Sequence, residues 1–217
     1  PDVSIGLTHF GGLSTVGRCQ AFSASADGFV RGEGVVTFYL KRLDDAVAAG
    51  DPIHAVIVAS AVNNDGGGDS LVTPSPAGQE DLLSTIYSNA SISTDDVVYI
   101  EAHGTGTAVG DPIEAGAIGR VLGKARAEKG LAPIVLGSVK TNIGHLEAAA
   151  GLAGLSKAVM AVEKRLVPAN LHSDVLNPSI DFSQLGLQVP QEPVPLPTDK
   201  PFFVGVNSFG WGGTNAH

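Results

Sequence analysis

The stretch Gly137-Ser138-Val139-Lys140-Thr141-Asn142-Ile143-Gly144-His145-Leu146-Glu147-Ala148-Ala149-Ala150-Gly151-Leu152-Ala153-Gly154 decides how this chain folds. On its left is Pro133-Ile134-Val135-Leu136, an apolar run too short and too β-branched for a helix, which reads as a buried strand. On its right, Leu152, Leu155, Val159 and Val162 recur at helical spacing, while Ala148, Ala150, Gly151 and Gly154 form a face with almost no side chain. A glycine inside a helix costs about 1 kcal/mol relative to alanine, so two of them predict close approach by another backbone. Between strand and helix lie Lys140, Asn142 and His145, at the C-terminal end of a strand, where open α/β sheets place their chemistry.

Working outward, residues 1–32 read as a long Gly- and Ser-containing loop. Gly34-Val35-Val36-Thr37-Phe38-Tyr39-Leu40 reads as a strand, and residues 43–49 as a short helix stopped by Gly50. Residues 53–61 are almost continuously apolar, which predicts a central strand buried on both faces. It ends at the turn Asn63-Asn64-Asp65-Gly66-Gly67-Gly68, whose glycines predict local mobility. Residues 79–88 carry an amphipathic helix with Leu82, Leu83 and Ile86 on one side, and residues 97–102 a strand. Asp111-Pro112 reads as a helix start, with Asp111 as N-cap and Ile113, Ala117, Ile118 and Val121 as the apolar stripe. The proline-dense residues 165–201 are expected to cross the surface as extended chain, before a last strand over residues 202–208. This alternation predicts a layered α/β unit.

Composition narrows the function. Thirteen basic against 22 acidic residues give a net charge of -9 without a Lys/Arg cluster, which argues against tracking a nucleic-acid backbone. One cysteine rules out an internal disulfide framework or a Cys-rich metal site, and the histidines show no metal-ligand spacing. No apolar run reaches membrane-spanning length and no signal peptide is present, so no membrane span is expected and the cytoplasm is the expected compartment. The chain opens with Pro-Asp, which reads as the middle of something longer.

Three strands end in polar, glycine-bearing loops: His103-Gly104-Thr105-Gly106-Thr107, residues 140–145, and residues 210–215. Two neutral imidazoles converging on one carbonyl can share the task of hydrogen-bonding a developing oxyanion, and a nearby lysine can tune them. The glycines let backbone N–H groups approach a thioester or phosphate.

These residues resemble a known family. Glu101-Ala102-His103-Gly104-Thr105-Gly106-Thr107 with Gly110-Asp111-Pro112-Ile113-Glu114, then residues 137–154, then Asn207-Ser208-Phe209-Gly210-Trp211-Gly212-Gly213-Thr214-Asn215-Ala216-His217, resemble in order and spacing the ketosynthase (β-ketoacyl synthase) domains of type I polyketide synthases and related fatty acid synthases. Gly17-Arg18-Cys19 and Asp27-Gly28-Phe29-Val30-Arg31-Gly32-Glu33-Gly34 resemble the same family's middle region. The resemblance implies a thiolase-like, layered α/β/α/β/α fold and decarboxylative Claisen condensation of an acyl thioester with a malonyl-type extender. It also implies the roles of individual residues. His103 and His145 match the two histidines of a Cys-His-His triad, and Lys140 the lysine that supports the second. Thr105 and Thr107 match contacts to the phosphopantetheine arm, and the N–H of Trp211 an oxyanion-hole donor. Asn142, Phe209 and Gly210 fall within substrate-binding motifs. No cofactor is expected on this chain itself, since the substrates ride on the phosphopantetheine of an acyl carrier protein.

The family's nucleophile, in an Ala-Cys-Ser-Ser-type turn at a helix N-terminus, has no counterpart here. Cys19, in Gly-Arg-Cys-Gln, reads as a structural thiol. The resemblance therefore implies the C-terminal part of a ketosynthase, residues 1–45 ending the N-terminal half and residues 46–217 forming the C-terminal half. The implied partners are the Cys-bearing N-terminal half, an acyl carrier protein and a second copy in a homodimer. Trp211 replaces the Phe usual between the last glycines, and a larger ring there could narrow the acyl tunnel. His9, His54 and His172 carry no matching motif and read as surface or packing residues. The competing reading is a non-catalytic ketosynthase-like module that binds acyl carrier protein or completes an assembly; a metabolite-binding α/β domain unrelated to thiolases is more distant.

Overall fold

The computed structural model describes residues 2–66 and 72–217. In chain order its elements are α1 (Asp2–Phe10), α2 (Leu43–Ala49), β1 (Val62–Asn64), α3 (Pro76–Asn89), β2 (Val97–Glu101), α4 (Gly110–Ile118), α5 (Lys124–Glu128), β3 (Ile134–Gly137), α6 (Lys140–Ile143), α7 (Ala150–Lys164), β4 (Leu166–Val167), β5 (Leu187–Gln188), β6 (Val194–Pro195), β7 (Phe203–Val206), β8 (Ser208–Phe209) and β9 (Thr214–Ala216). A wide π-helical turn, Gly119–Gly123, joins α4 to α5.

The centre is a parallel sheet in the order β5-β3-β2-β7. Ile134 and Leu136 alternate onto one face with Ile100, and a register shift between Val97 and Tyr99 brings Val97 to the same side, where they meet Leu83, Ile86, Ile118 and Leu122 from α3 and the α4 region. Tyr99 and Val135 pack with Ala161 of α7, Val167 and Leu196 on the other. The sheet is thus covered on both faces, as parallel sheets require. Since β3, β2 and β7 are parallel neighbours, the loops that follow them leave the sheet along one edge. A small antiparallel sheet, β1-β9-β8, closes over that edge.

Several expectations are corrected. Residues 2–10 form a helix rather than loop. Residues 34–40 and 53–60 form no strand among the described residues, and of the second run only Ala61 is paired, exchanging two 3.0 Å backbone bonds with His217 beside β1; Val35 is 93% exposed, Tyr39 89%, and Ile53, Val56, Ile57 and Val58 are exposed too. A β-branched sequence sets an extended backbone, but a strand also needs a neighbour to complete its hydrogen-bond ladder. Gly67 and Gly68 of the expected mobile turn lie outside the described residues. The proline-dense region contributes β5 to the main sheet and forms the small antiparallel pair β4-β6.

The orientation of α7 also differs. Its buried residues are Ala150, Ala153, Gly154, Ala158 and Ala161, whereas Leu152 of the expected apolar stripe is exposed and Leu155, Val159 and Val162 are only partly covered. The close approach that its glycines predict is met by side chains of this chain's own strands. A Cβ at Gly154 would lie 3.2 Å from Glu101 Cγ and 3.5 Å from Val206 Cγ1, and one at Gly151 would lie 2.9 Å from Ser208 Oγ. Small residues win the inward face because they let the helix axis approach the strands.

Gly154→Leu is therefore expected to overpack α7 against β2 and β7 and to lower the unfolding free energy by about 1–3 kcal/mol. Leu152→Ala, on the open face, is expected to change it by only about 0.5 kcal/mol. Urea midpoints of the two variants measure the contrast, and equal losses would contradict this packing.

Candidate active site

The edge at which β3, β2 and β7 end carries His103, Lys140, His145 and Phe209. The loop after β2 is held by two carboxylates of α4. Glu114 accepts hydrogen bonds from the His103 and Gly104 N–H groups, each at 2.8 Å, and from Asn207 Nδ2 at 2.8 Å. Asp111 accepts from Phe22 N–H at 2.7 Å and Gly106 N–H at 3.1 Å. Asp111 is thus not the N-cap: it lies inside the first turn, where it and Glu114, three residues on, share the face turned towards the loop. Both are fully or almost fully buried. Burial, with the Glu114 charge beside it, pushes the Asp111 carboxyl up to about 7 against the pull of its backbone donors. Burial likewise raises Glu114, opposed by Gly104, Asn207 and His103.

The second loop is tied to the first. Glu101, at the end of β2, accepts from Val139 N–H at 2.6 Å and pairs with Lys157 Nζ at 3.0 Å. Lys140 is buried and its Nζ donates to the His103 carbonyl at 2.5 Å. The resemblance assigned the lysine to the second histidine; its direct bond is to the first, and its charge reaches both. Asn142 is not brought to the site. It stands two positions beyond Lys140 on α6, close to the opposite side of the helix, and is exposed.

The His103 and His145 rings meet edge to face, with centroids 5.4 Å apart and planes at 85°. Backbone donors assign their tautomers. Phe209 N–H donates to His103 Nδ1 at 3.3 Å, and Glu147 N–H donates to His145 Nδ1 at 2.8 Å. Each Nδ1 is therefore an acceptor, and each neutral ring carries its proton on Nε2. Burial first, then the Lys140 charge, holds His103 well below the usual histidine range and His145 down to about 4, so both are neutral near pH 7.

Both rings line a cavity of about 940 Å³, together with Thr105, Thr107, Phe209 and Trp211. The Thr105 and Thr107 hydroxyls lie 3.2 Å apart. Gly210 also lines it and opens the turn that returns to Thr214 through a 2.6 Å backbone bond. Trp211 is half exposed and meets the Phe10 ring edge-on at 4.9 Å. Cys19 is buried, its Sγ accepting from Val30 N–H at 3.1 Å, and burial pushes its thiol up, the environment of a structural rather than an activated thiol.

Sequence reasoning assigned no role to Glu114, Glu101 or Asn207 and gave Asp111 only that of an N-cap, although the α4 pair could have been found as carboxylates one helical turn apart just after a glycine loop. It also missed the partly buried chain in which Asn207 Oδ1 accepts from His217 Nδ1 at 2.6 Å and Tyr87 OH lies 3.0 Å from His217 Nε2. His54 is an exposed residue beside Glu163. Among the described residues, no group of three or more His, Cys, Asp or Glu is placed to hold a metal ion, and no helix is long and apolar enough to cross a membrane.

Glu114→Gln is expected to cost about 1–3 kcal/mol, since the amide turns a donor towards N–H groups that need an acceptor; urea unfolding reads the loss. His145 is expected to titrate near 4 in ring-proton NMR. A folded-state pKa below the unfolded 6.5 means the unfolded chain binds more protons, so this group's stabilisation is complete above about 6.5 and fades as pH falls towards 4. His145→Gln should accordingly flatten that part of the stability–pH curve.

Comparison with known proteins agrees with the geometry. Residues 1–46 match the family model described as the β-ketoacyl synthase N-terminal domain, residues 54–174 the β-ketoacyl synthase C-terminal domain, and residues 177–217 the ketoacyl-synthetase C-terminal extension. The chain is 51% identical, over its whole length, to one component of the phenolphthiocerol/phthiocerol polyketide synthase of Mycobacterium tuberculosis, and 51% identical over 96% of its length to polyketide synthase GfsA of Streptomyces halstedii. It spans 12% of the former and 3% of the latter. Among solved structures, the ketosynthase from module 6 of the bacillaene synthase of Bacillus subtilis 168 superposes with a TM-score of 0.94 at 38% identity, covering all of this chain and 39% of that one. The chain thus has the thiolase-like fold of these neighbours and belongs to the β-ketoacyl synthase family, among the ketosynthases of polyketide synthases.

Proposed function

We propose that this chain supplies the two-histidine half of a condensing site, catalysing decarboxylative Claisen condensation of an acyl thioester with a malonyl-type extender on acyl carrier protein. The observation that carries the reading is the pair of neutral rings, each with Nδ1 occupied by a backbone N–H, which leaves two Nε2–H donors at one cavity. When the extender loses CO2, the electrons of the broken C–C bond move onto the thioester oxygen as an enolate. Two fixed N–H donors stabilise that charge without a proton transfer. The enolate carbon then attacks the acyl carbonyl, and the thiolate that held the acyl group leaves. Burial, with the Lys140 charge second, keeps both rings neutral, and Thr105 and Thr107 offer hydroxyls to the amide-bearing phosphopantetheine arm.

The nucleophilic cysteine comes from outside these 217 residues, on the N-terminal half. In this proposal residues 1–45 end that half and residues 46–217 form the other; the complete ketosynthase is a cytoplasmic homodimer. The exposed Val35, Tyr39 and Leu40, the exposed run around Ile53 and residues 56–58, and the open face of α7 support a missing partner, since apolar surface of that extent usually marks an interface.

The test is made in the complete ketosynthase. His103→Ala or His145→Ala is expected to slow condensation about 10²- to 10³-fold, as removal of one oxyanion donor does. Acyl loading should change less. The chain by itself should condense nothing and should bind hydrophobic dyes. Wild-type condensation by both variants would remove these histidines from the mechanism, and a complete ketosynthase that condenses nothing even unaltered would favour the non-catalytic carrier-binding module instead.

A further inference from the structure

The segment Phe29-Val30-Arg31-Gly32, whose role the condensing chemistry leaves open, lies against His145 along its backbone. His145 N–H donates to the Val30 carbonyl at 2.7 Å, and Gly32 N–H donates to the His145 carbonyl at 2.9 Å. The Phe29 ring stands 5.0 Å from the imidazole. This approach leaves no room for a side chain at position 32, where a Cβ would lie 2.3 Å from the Ile143 carbonyl oxygen. Arg31 reaches past this contact to Glu147. Its Nε and Nη2 both bond the Glu147 carboxylate, Nη2 at 3.0 Å, and its Nη1 donates to Ser4 Oγ at 2.7 Å.

Glu147 is the residue whose N–H occupies His145 Nδ1, and it holds a left-handed backbone with φ +53°. A non-glycine residue seldom adopts that conformation unless something holds it. Nothing about the carboxylate itself demands it, but the two-pronged guanidinium contact fixes where the side chain, and hence its own Cα, must sit. Without that anchor, relaxation to negative φ turns the Glu147 N–H away from the ring. Nδ1 then loses its donor, and the proton can move from Nε2 to Nδ1.

We propose that Arg31 is a positioning residue for His145, acting through its two-pronged bond to Glu147 to hold the left-handed backbone whose N–H fixes the imidazole proton on Nε2. The importance of that proton rests on the condensing role proposed above, but the positioning itself is read without catalysis. Two features separate this contact from an ordinary surface ion pair: its carboxylate partner is the residue bonded to the ring, and that residue is in a strained conformation.

The test is long-range ¹H–¹⁵N NMR of the histidine rings at neutral pH, which reports the tautomer of each. In the unaltered chain, His145 and His103 are both expected wholly as Nε2–H. In Arg31→Gln, His145 should become a mixture of tautomers while His103, held by Phe209, stays unchanged. In Glu147→Gly the ion pair is equally lost, but glycine adopts the left-handed backbone freely, so His145 should remain Nε2–H. The double variant Arg31→Gln with Glu147→Gly should recover the single tautomer. A complete Nε2–H population in Arg31→Gln would overturn the proposal, and so would a mixture in the double variant. If Arg31→Gln does not fold, the comparison of Glu147→Gln, expected mixed, with Glu147→Gly, expected single, decides in the same way. These readings do not depend on turnover: wild-type condensation by His145→Ala would defeat the condensing role and leave the tautomer result standing.

Discussion

The carboxylate of Glu114 is the constraint on which the rest of the site depends. It is buried on α4, yet its three hydrogen bonds go to the ends of two different strands: to the His103 and Gly104 N–H groups after β2, and to Asn207 after β7. A buried donor left without an acceptor costs roughly 1–3 kcal/mol, so these loops cannot drift from the helix independently. Glu101 and Lys140 extend the restraint. One binds the Val139 N–H and the other the His103 carbonyl, so the loop after β3 is fastened to the loop after β2. Three loops far apart in sequence thereby behave as one rigid edge.

That edge sets the electrostatics. Lys140 is buried near two imidazoles, and burial disfavours a charge on either ring. The two effects act in the same direction on each histidine, which is why neutrality near pH 7 needs no fine adjustment. Asp111 and Glu114 answer the lysine charge, although burial also raises their own pKa values. Their backbone donors act the other way, favouring the charged carboxylates that the loop geometry uses. Neutral rings with fixed tautomers suit a task in which charge appears on the substrate rather than on the protein.

Much of this was legible beforehand. The order of strands and helices around β2, β3 and α7, the stop at Gly50, and the candidate residues His103, Lys140 and His145 follow from local pattern and motif, and the structure places those three residues together. What local pattern misled on has a common cause. Residues 34–40 and 53–60 have strand composition but no ladder partner among the described residues. In α7 the larger side chains attract the eye, while the Ala and Gly face is what a close-packed sheet accepts. Asp111 has the spacing of an N-cap, yet it bonds Phe22, 89 residues away. Asn142 sits in a matching motif and still points away from the cavity, because one turn of helix cannot turn both it and Lys140 inward.

By itself, then, the sequence determined the α/β class, the three polar loops and the residue types able to stabilise an oxyanion, because those depend on periodicity and on side-chain chemistry. Only the tertiary structure decided which imidazole nitrogen carries the proton, which carboxylates hold the loops, and that residues 29–32 brace His145 from more than a hundred positions upstream. Each of these is a hydrogen bond between segments remote in the chain. Such bonds exist only once the parallel strands have brought their C-terminal ends to one edge, and local sequence carries no signal for them.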